Sequence, residues 1–207
     1  MPSASAALER LVDGNRRFAA DAPSRAMLTD SARRSALAAG QAPFATILGC
    51  SDSRVPVELV FDQGLGDLFV IRVAGNISAP ALIGSVEFAA EAFGTRLVVV
   101  LGHQRCGAVT ATLEALQRPP AAQSPHLGSI VDLIRPAVAP LLEQTDWPTG
   151  QEALLAAAVR ANIRMAVEQL RHGSPLVQQL ITEAGLRVVG AEYSLETGLV
   201  EFLDDLS

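Results

Sequence analysis

Three short apolar runs constrain the fold of this 207-residue chain more than any other feature of its sequence. They cover residues 44–48, 68–73 and 97–101, and helical patterns stand between them. Runs of this length without regular polar alternation are typical of strands buried on both faces of a parallel sheet. We therefore predict an α/β fold in which helices flank a mostly parallel central β-sheet.

The helices of this fold are predicted from apolar spacing together with residues that start and stop helices. Ser78 is the expected cap of a helix with Pro80 in its first turn, and Gly94 is its expected end. Ser174 with Pro175 is expected to start another helix, which Gly185 ends. Further helical patterns cover residues 107–117, 127–142 and 151–172.

The two ends of the chain extend this prediction. Leu8, Leu11 and Val12 recur at helical spacing among polar residues, so the N-terminus is predicted to form an amphipathic helix. We expect residues 1–40 to form a helical arm that lies on a partner chain. Residues 186–191 are predicted as a strand that continues through a turn at 196–198 into residues 199–203, as a hairpin. Residues 1–207 are predicted as a single domain.

Composition narrows the chemistry. The net charge is −6 and the basic residues are scattered, which argues against a nucleic-acid partner. All 16 basic residues are arginine, so chemistry that depends on a lysine Schiff base or a P-loop lysine is excluded. No apolar run approaches the roughly 20 residues of a membrane span, and the N-terminus lacks the pattern of a secretory signal. We therefore expect a protein with no membrane association and a cytoplasmic location.

Two polar clusters begin where the first and third apolar runs end. Cys50, Asp52 and Arg54 follow the first run, and His103 and Cys106 follow the third. Because the carboxyl ends of neighbouring parallel strands meet at one edge of a sheet, these side chains are expected to converge. Two thiolates and one imidazole are a typical ligand set for zinc, with the fourth position left for Asp52, water or substrate.

Other interpretations of the same residues stay open at this point. Taken singly, each cysteine is more often inert core packing, His103 a hydrogen-bonded histidine, and Asp52 with Arg54 a turn ion pair. A structural zinc site is a further alternative, although such sites take four Cys or His ligands and no fourth stands nearby. A non-enzymatic zinc module would retain the cysteines without needing Asp52 and Arg54.

Together, the clusters at 50–54 and 102–107 resemble the two signature motifs of the β-class carbonic anhydrases. The resemblance continues at residues 61–64, 66–69, 72–76, 84–89, 189–193 and 197–198. It covers almost the whole chain and is weakest from residue 119 to residue 149.

This resemblance implies an enzyme that reversibly hydrates carbon dioxide to bicarbonate and a proton, with zinc-bound hydroxide as the nucleophile. One zinc ion per subunit would be held by Cys50, His103 and Cys106. Asp52 would either be the fourth ligand or pair with Arg54 and leave the metal open to water. A hydrolase of carbonyl sulfide or carbon disulfide is the alternative on the same scaffold.

The resemblance also implies an assembly and a substrate pocket. The family forms homodimers or dimer-based oligomers such as tetramers, with the N-terminal helix embracing the partner and the active site at the subunit boundary. Ile47 stands where the bicarbonate-regulated subgroup has tryptophan, which favours the constitutively open subgroup. His126 and His172 are candidate proton relays. The residues that match the family's substrate-binding positions are Gln41, Phe69, Ala74, Phe88 and Gly107.

Overall fold

The computed structural model of the chain describes residues 1–24, 31–117, 124–143 and 150–203. Residues 25–30 of the predicted arm, and parts of the stretch where the family resemblance is weakest, lie outside the described residues. The helices are Ala4–Ala19 (α1), Ser31–Leu37 (α2), Val57–Val60 (α3), Pro80–Ala92 (α4), Gly107–Gln117 (α5), Pro125–Val138 (α6), Gln151–Gly173 (α7) and Pro175–Ala184 (α8). The strands are Ala45–Cys50 (β1), Leu68–Val73 (β2), Leu97–His103 (β3), Arg187–Tyr193 (β4) and Val200–Phe202 (β5).

The strands form one sheet in the order β2-β1-β3-β4-β5. The first four are parallel, and β5 pairs antiparallel with β4 as the second arm of the C-terminal hairpin. Every residue of β1 and β3 is buried, which explains why their sequences are continuous apolar runs. The predicted α/β fold with a mostly parallel sheet is confirmed.

Alternate side chains of the buried strands enter cores on opposite faces of the sheet, as the two-residue period of a strand requires. Leu48 and Val100 belong to the core beneath the long helix α7, whereas Ile47, Val99 and Leu101 belong to the core beneath α1. Both faces of the sheet are therefore covered, and polar side chains can gather at its ends. None of the helices in the described ranges is long and apolar enough to cross a bilayer.

Most predicted helix boundaries agree with the structure. Ser174 caps α8 by accepting a hydrogen bond from the Val177 N–H, and Gly185 ends that helix in a left-handed conformation. The cap predicted at Ser78 is wrong, because α4 has Ala79 at the N-cap position with no side-chain cap. The Ser78 hydroxyl is instead buried without a hydrogen-bond partner in the described part of the chain.

The N-terminal helix α1 packs on its own chain. Leu8 and Leu11 enter the core on this face of the sheet. The Asn15 amide Nδ2 donates to the carbonyls of Val60 and Gly198, at 3.0 and 2.8 Å. We call α1, together with the segments around Val60 and Gly198 that it contacts, the N-terminal clasp. The role of residues 1–40 as a dimerisation arm stays a prediction.

The clasp is completed by an ion pair between the half-buried Arg17 and the buried Asp62. The Arg17 guanidinium donates to the Asp62 carboxylate, whose oxygens also accept the backbone N–H of Ser24. The Gly14 backbone approaches the Phe61 carbonyl so closely that a Cβ atom would lie only 1.9 Å from that oxygen. Glycine is therefore required at position 14, where α1 passes this carbonyl.

Candidate metal centre

Cys50, His103 and Cys106 meet at the carboxyl end of the sheet. Cys50 is the last residue of β1 and His103 the last residue of β3, and these strands are parallel neighbours. Cys106 directly precedes α5. One ligand atom from each residue lies within 4.8 Å of the other two, and all three side chains are buried. Among the described residues they form the one such group of potential metal ligands. The predicted convergence of the two sequence clusters is thus found in the structure.

The two sulfur atoms are 4.0 Å apart and share a hydrogen bond. The Cys106 thiol lowers the pKa of Cys50, against the effect of burial, and the Gly75 N–H lowers it further. The same hydrogen bond, together with burial, raises the pKa of Cys106. A lowered pKa favours the thiolate form of Cys50, and a buried negative charge favours binding of a cation.

His103 presents one ring nitrogen to this group. Its Nδ1 lies 2.9 Å from the Gln104 carbonyl oxygen, which can only accept, so Nδ1 carries the proton. Its Nε2 is therefore an acceptor, and it has no hydrogen-bond partner within the described ranges although the side chain is fully buried. A buried polar atom without a partner costs about 1–3 kcal/mol. A metal ion bound at Nε2 would remove that cost, so the residues fit zinc.

Asp52 and Arg54 form a bidentate ion pair beside the ligand group. The Arg54 Nε and Nη2 atoms donate to the two carboxylate oxygens at 2.9 and 2.7 Å, and the Arg54 backbone N–H adds a third bond. These bonds hold the pKa of Asp52 well below its usual range. One carboxylate oxygen lies 3.8 Å from His103 Nε2. A fixed negative charge therefore stands next to the proposed metal position.

The comparisons with known proteins agree with this geometry. A family model described as carbonic anhydrase matches residues 45–200. A solved β-carbonic anhydrase from Coccomyxa, in complex with acetazolamide, superposes with a TM-score of 0.73 at 25% identity, covering 95% of this chain and 86% of that one. The chain belongs to the β-class carbonic anhydrase family. A carbonic anhydrase of Mycolicibacterium smegmatis is 37% identical over 100% of this chain and 97% of its own.

Membership of the β-class carbonic anhydrases establishes the reaction, which is the reversible hydration of carbon dioxide. The alternative of a carbonyl sulfide or carbon disulfide hydrolase is not favoured. A tetrameric β-carbonic anhydrase from Sordaria macrospora has the same fold, with a TM-score of 0.70 at 24% identity over 83% of this chain and 86% of that chain.

The predicted substrate residues of this carbonic anhydrase fall into two sets. Ala74 follows β2 directly and Gly107 begins α5 next to Cys106, so both lie at the ligand edge of the sheet. Phe69 lies elsewhere, because it pairs with Thr46, four residues before Cys50. At roughly 3.3 Å per residue this is about 13 Å from the ligands.

Phe88 and Gln41 also lie apart from the ligand group. Phe88 is 55% exposed on α4 and contacts the rings of Phe69 and Phe93. Gln41 is exposed and lines a surface depression with Leu37 and Leu65. The structure of one chain therefore brings together the ligands, the Asp52–Arg54 pair, Ala74 and Gly107, but not Phe69, Phe88 and Gln41.

Two residues that support the site were not assigned roles from the sequence. Arg72 donates to the Cys50 carbonyl at 2.9 Å and to the Asp52 carbonyl at 2.8 Å, so it holds the loop that carries both side chains. Asn162 is buried on α7 and donates to the Gly75 carbonyl at 2.7 Å. Their sequence signal is a polar residue inside an otherwise apolar strand or helix face.

The candidate proton relays lie on the surface. His126 is exposed at the start of α6. His172 is exposed in the last turn of α7 and contacts Glu168, one turn earlier, through both the backbone carbonyl and the carboxylate. A cation at this position also suits the dipole of the helix C-terminus. The contacts of His172 therefore fit a residue that stabilises the end of α7.

Proposed function

We propose that the chain hydrates carbon dioxide with one zinc ion held by Cys50, His103 and Cys106. The observation that carries this proposal is the buried His103 Nε2 acceptor, which has no partner among the described residues. It belongs to a side chain with a ligand atom within 4.8 Å of both sulfur atoms. Bound zinc would supply a Lewis acid that lowers the pKa of water from about 16 to near 7. Two sulfurs and one imidazole nitrogen are the ligand chemistry that zinc prefers.

Asp52 and Arg54 orient the nucleophile. Because Arg54 occupies both carboxylate oxygens, the structure supports the form in which Asp52 pairs with Arg54 and does not ligate the metal. The low pKa of Asp52 keeps the carboxylate ionised, so it accepts a hydrogen bond and never donates one at neutral pH. Asp52 thereby aims a lone pair of the attacking oxygen at the carbon of the substrate, which is a gain in orientation.

The Arg72 side chain and the Gly107 backbone support this arrangement. Arg72 fixes the carbonyls on either side of Ser51, so the Cys50 and Asp52 side chains keep a constant separation. The Gly107 backbone begins α5 next to Cys106, and we assign it a contact with the product oxygens. Ala74 has a small side chain and leaves room for a linear molecule beside the ligands.

We propose that Gln41, Phe69 and Phe88 complete the site of a partner chain in a homodimer. Strand β2 is an edge strand, and Phe69 and Phe88 form an aromatic surface beside it. A two-fold axis close to this surface and perpendicular to β2 runs the two β2 strands antiparallel, so the Phe69 end of one meets the Val73 end of the other. Val73 is the strand partner of Cys50. Residues about 13 Å from their own ligands thus approach the ligands of the partner.

Two thiolate ligands also support a cytoplasmic location. Cys50 and Cys106 are free and their sulfurs are close together, so an oxidising compartment would threaten both ligands.

The metal proposal is tested by measuring carbon dioxide hydration by stopped flow before and after removal of metal with a chelator. We expect about one zinc per chain, loss of activity on removal, and recovery with Zn²⁺ but not Mg²⁺. Full activity in a metal-free preparation would contradict the proposal. A parallel assay with carbonyl sulfide measures the alternative hydrolase activity on the same sample.

The dimer proposal is tested by mixing two inactive variants, Gln41→Ala and Cys106→Ala, after dissociation and reassembly. A hybrid dimer has one site with intact ligands that receives Gln41 from its partner. Random pairing makes half of the dimers hybrid, so about a quarter of the wild-type sites are regained. If the mixture shows only the average of the two separate variants, Gln41 does not act across the interface.

A further inference from the structure

The turn that follows β2 has a backbone conformation that needs support. Its residues are Ala74–Asn76, and both Gly75 and Asn76 have positive φ angles, of 75° and 44°. A Cβ atom at Gly75 would lie 2.8 Å from the Ile134 side chain and 3.1 Å from Ala108, so only glycine fits there. A non-glycine residue in the left-handed region, such as Asn76, costs of order 1–3 kcal/mol. The surrounding structure must therefore hold this turn in place.

The turn places a backbone donor against a sulfur atom of the proposed metal site. The Gly75 N–H donates to Cys50 Sγ at 3.4 Å. Hydrogen bonds of this kind fix the direction of a ligand and withdraw charge from it, and partners outside the ligand set tune metal sites in this way. The position of the Gly75 peptide therefore affects how Cys50 presents its sulfur.

Asn162 binds the carbonyl group of Gly75, the residue whose N–H contacts Cys50. It lies in the middle of α7, is 2% exposed, and donates through Nδ2 to the Gly75 carbonyl at 2.7 Å. Its neighbours on this face of the helix, Val159 and Ala166, are apolar core residues. Burial of an amide on such a face is unfavourable without this hydrogen bond.

We infer that Asn162 is a positioning residue of the metal site, which fixes the Gly75 backbone so that its N–H donates to Cys50 Sγ. Asn162 donates its hydrogen bond to the Gly75 carbonyl and therefore acts on the ligand through the turn. The inference rests on the proposed zinc site. Helix α7 carries no metal ligand, but through Asn162 it affects the affinity of the site for zinc.

The test compares Asn162→Ala with wild type in two measurements that do not depend on turnover. Zinc affinity is measured by competition with a chromophoric chelator, and we expect it to weaken about tenfold, within the range seen when such supporting partners are removed. With Co²⁺ in place of zinc, the sulfur-to-cobalt charge-transfer bands are recorded. Loss of the hydrogen bond raises the energy of the sulfur lone pairs, so these bands should shift to longer wavelength.

Asn15→Ala is the matched control, because Asn15 is also a buried helical asparagine that donates to backbone carbonyls, but in the N-terminal clasp. We expect it to leave zinc affinity within about twofold of wild type and the cobalt bands in place. If Asn162→Ala does not fold, Asn162→Ser removes the same amide with a smaller loss of volume.

The inference is overturned if the Asn162 variants and Asn15→Ala have the same zinc affinity and cobalt spectrum as wild type. It is also overturned if the variants of both residues change them equally, because a general loosening of the fold would then explain the effect. Failure of the proposed zinc site is a different result, because wild type itself would then bind neither Zn²⁺ nor Co²⁺ at Cys50.

Discussion

The N-terminal clasp and the metal centre share two kinds of polar contact but differ in whether a buried polar atom is left without a partner. Each has a buried asparagine that donates to a carbonyl across the fold and an arginine paired with an aspartate. In the clasp, Asn15 uses both ends of its amide and Asp62 binds both Arg17 and the Ser24 N–H. At the metal centre, His103 Nε2 is buried with no partner among the residues described.

This difference distinguishes polar groups that stabilise the fold from those that can bind a ligand. A fully bonded polar group contributes stability and has no bonding capacity left for a ligand. A buried acceptor without a partner destabilises the chain until something binds to it. Variants of the metal centre should therefore change metal binding and activity, whereas variants of the clasp should change stability alone.

The largest effect is expected from Cys106→Ala. Zinc sites with a full ligand set bind with about 10–16 kcal/mol, so loss of one ligand should weaken affinity by at least about a hundredfold. Metal content measured by mass spectrometry and hydration activity should both fall to background. Asn15→Ala, purified in parallel, should keep its zinc. Retention of stoichiometric zinc by Cys106→Ala would show that the ligand set is different.

Asp52→Ala should have the next largest effect, and on turnover alone. Zinc stays bound because the three ligands are intact, but hydration should fall by about a hundredfold, as when an orienting or stabilising group is removed from other active sites. Asp62→Ala is the matched change in the clasp and should leave the turnover of folded enzyme unchanged. Full hydration activity in Asp52→Ala would contradict the proposed role of this carboxylate.

The comparison also shows how far the sequence alone could predict this molecule. The ligands could be predicted because Cys50 and His103 each stand one glycine beyond an apolar strand run, and neighbouring parallel strands end at the same edge. The hydrogen bond from Asn162 to Gly75 joins positions 87 residues apart, and no local pattern encodes it. A support of this kind becomes visible only when α7 is packed against the turn.

Two further predictions, for α1 and for Ser78, also depended on tertiary packing that the sequence alone does not reveal. The amphipathic pattern of α1 shows that the helix needs an apolar surface, but it does not show which chain provides that surface. In the structure this surface is the core formed with Ile47 and Val99 of the same chain. Ser78 has the residue type of a helix cap, yet tertiary packing buries it and leaves Ala79 at the N-cap position. Residue type alone could not predict that burial.

Asn15→Ala should produce a smaller change, and only in stability. The variant loses the bonds to the Val60 and Gly198 carbonyls and the bond that Asn15 accepts from the Val200 N–H. At about 1 kcal/mol for each bond, the free energy of unfolding in urea should fall by about 2–3 kcal/mol. Loss of activity in the folded variant would show that α1 takes part in the active site, for example by holding the dimer.

The smallest effect is the pH dependence that Asp62 gives to the clasp. Burial raises the pKa of this carboxyl, but the bonds from Arg17 and Ser24 outweigh burial, so the pKa lies below its ordinary value of 3.8. A group with a lowered pKa in the folded state stabilises the fold above that value, and this contribution is lost as the pH falls through the lowered pKa. Asp62→Asn should therefore reduce the free energy of unfolding at pH 7 by about 1–2 kcal/mol.

This deficit should narrow as the pH falls from 3.8 through the lowered pKa, because the wild-type carboxyl is protonated first in the unfolded chain and then in the folded one. The two proteins then become alike. Urea titrations of wild type and Asp62→Asn at a series of pH values measure the gap. Asp13→Asn is the control, since Asp13 forms an exposed ion pair with Arg16 and such pairs contribute little. A gap that stays constant with pH would show that Asp62 stabilises the clasp by its shape and hydrogen bonds, with no contribution from its charge.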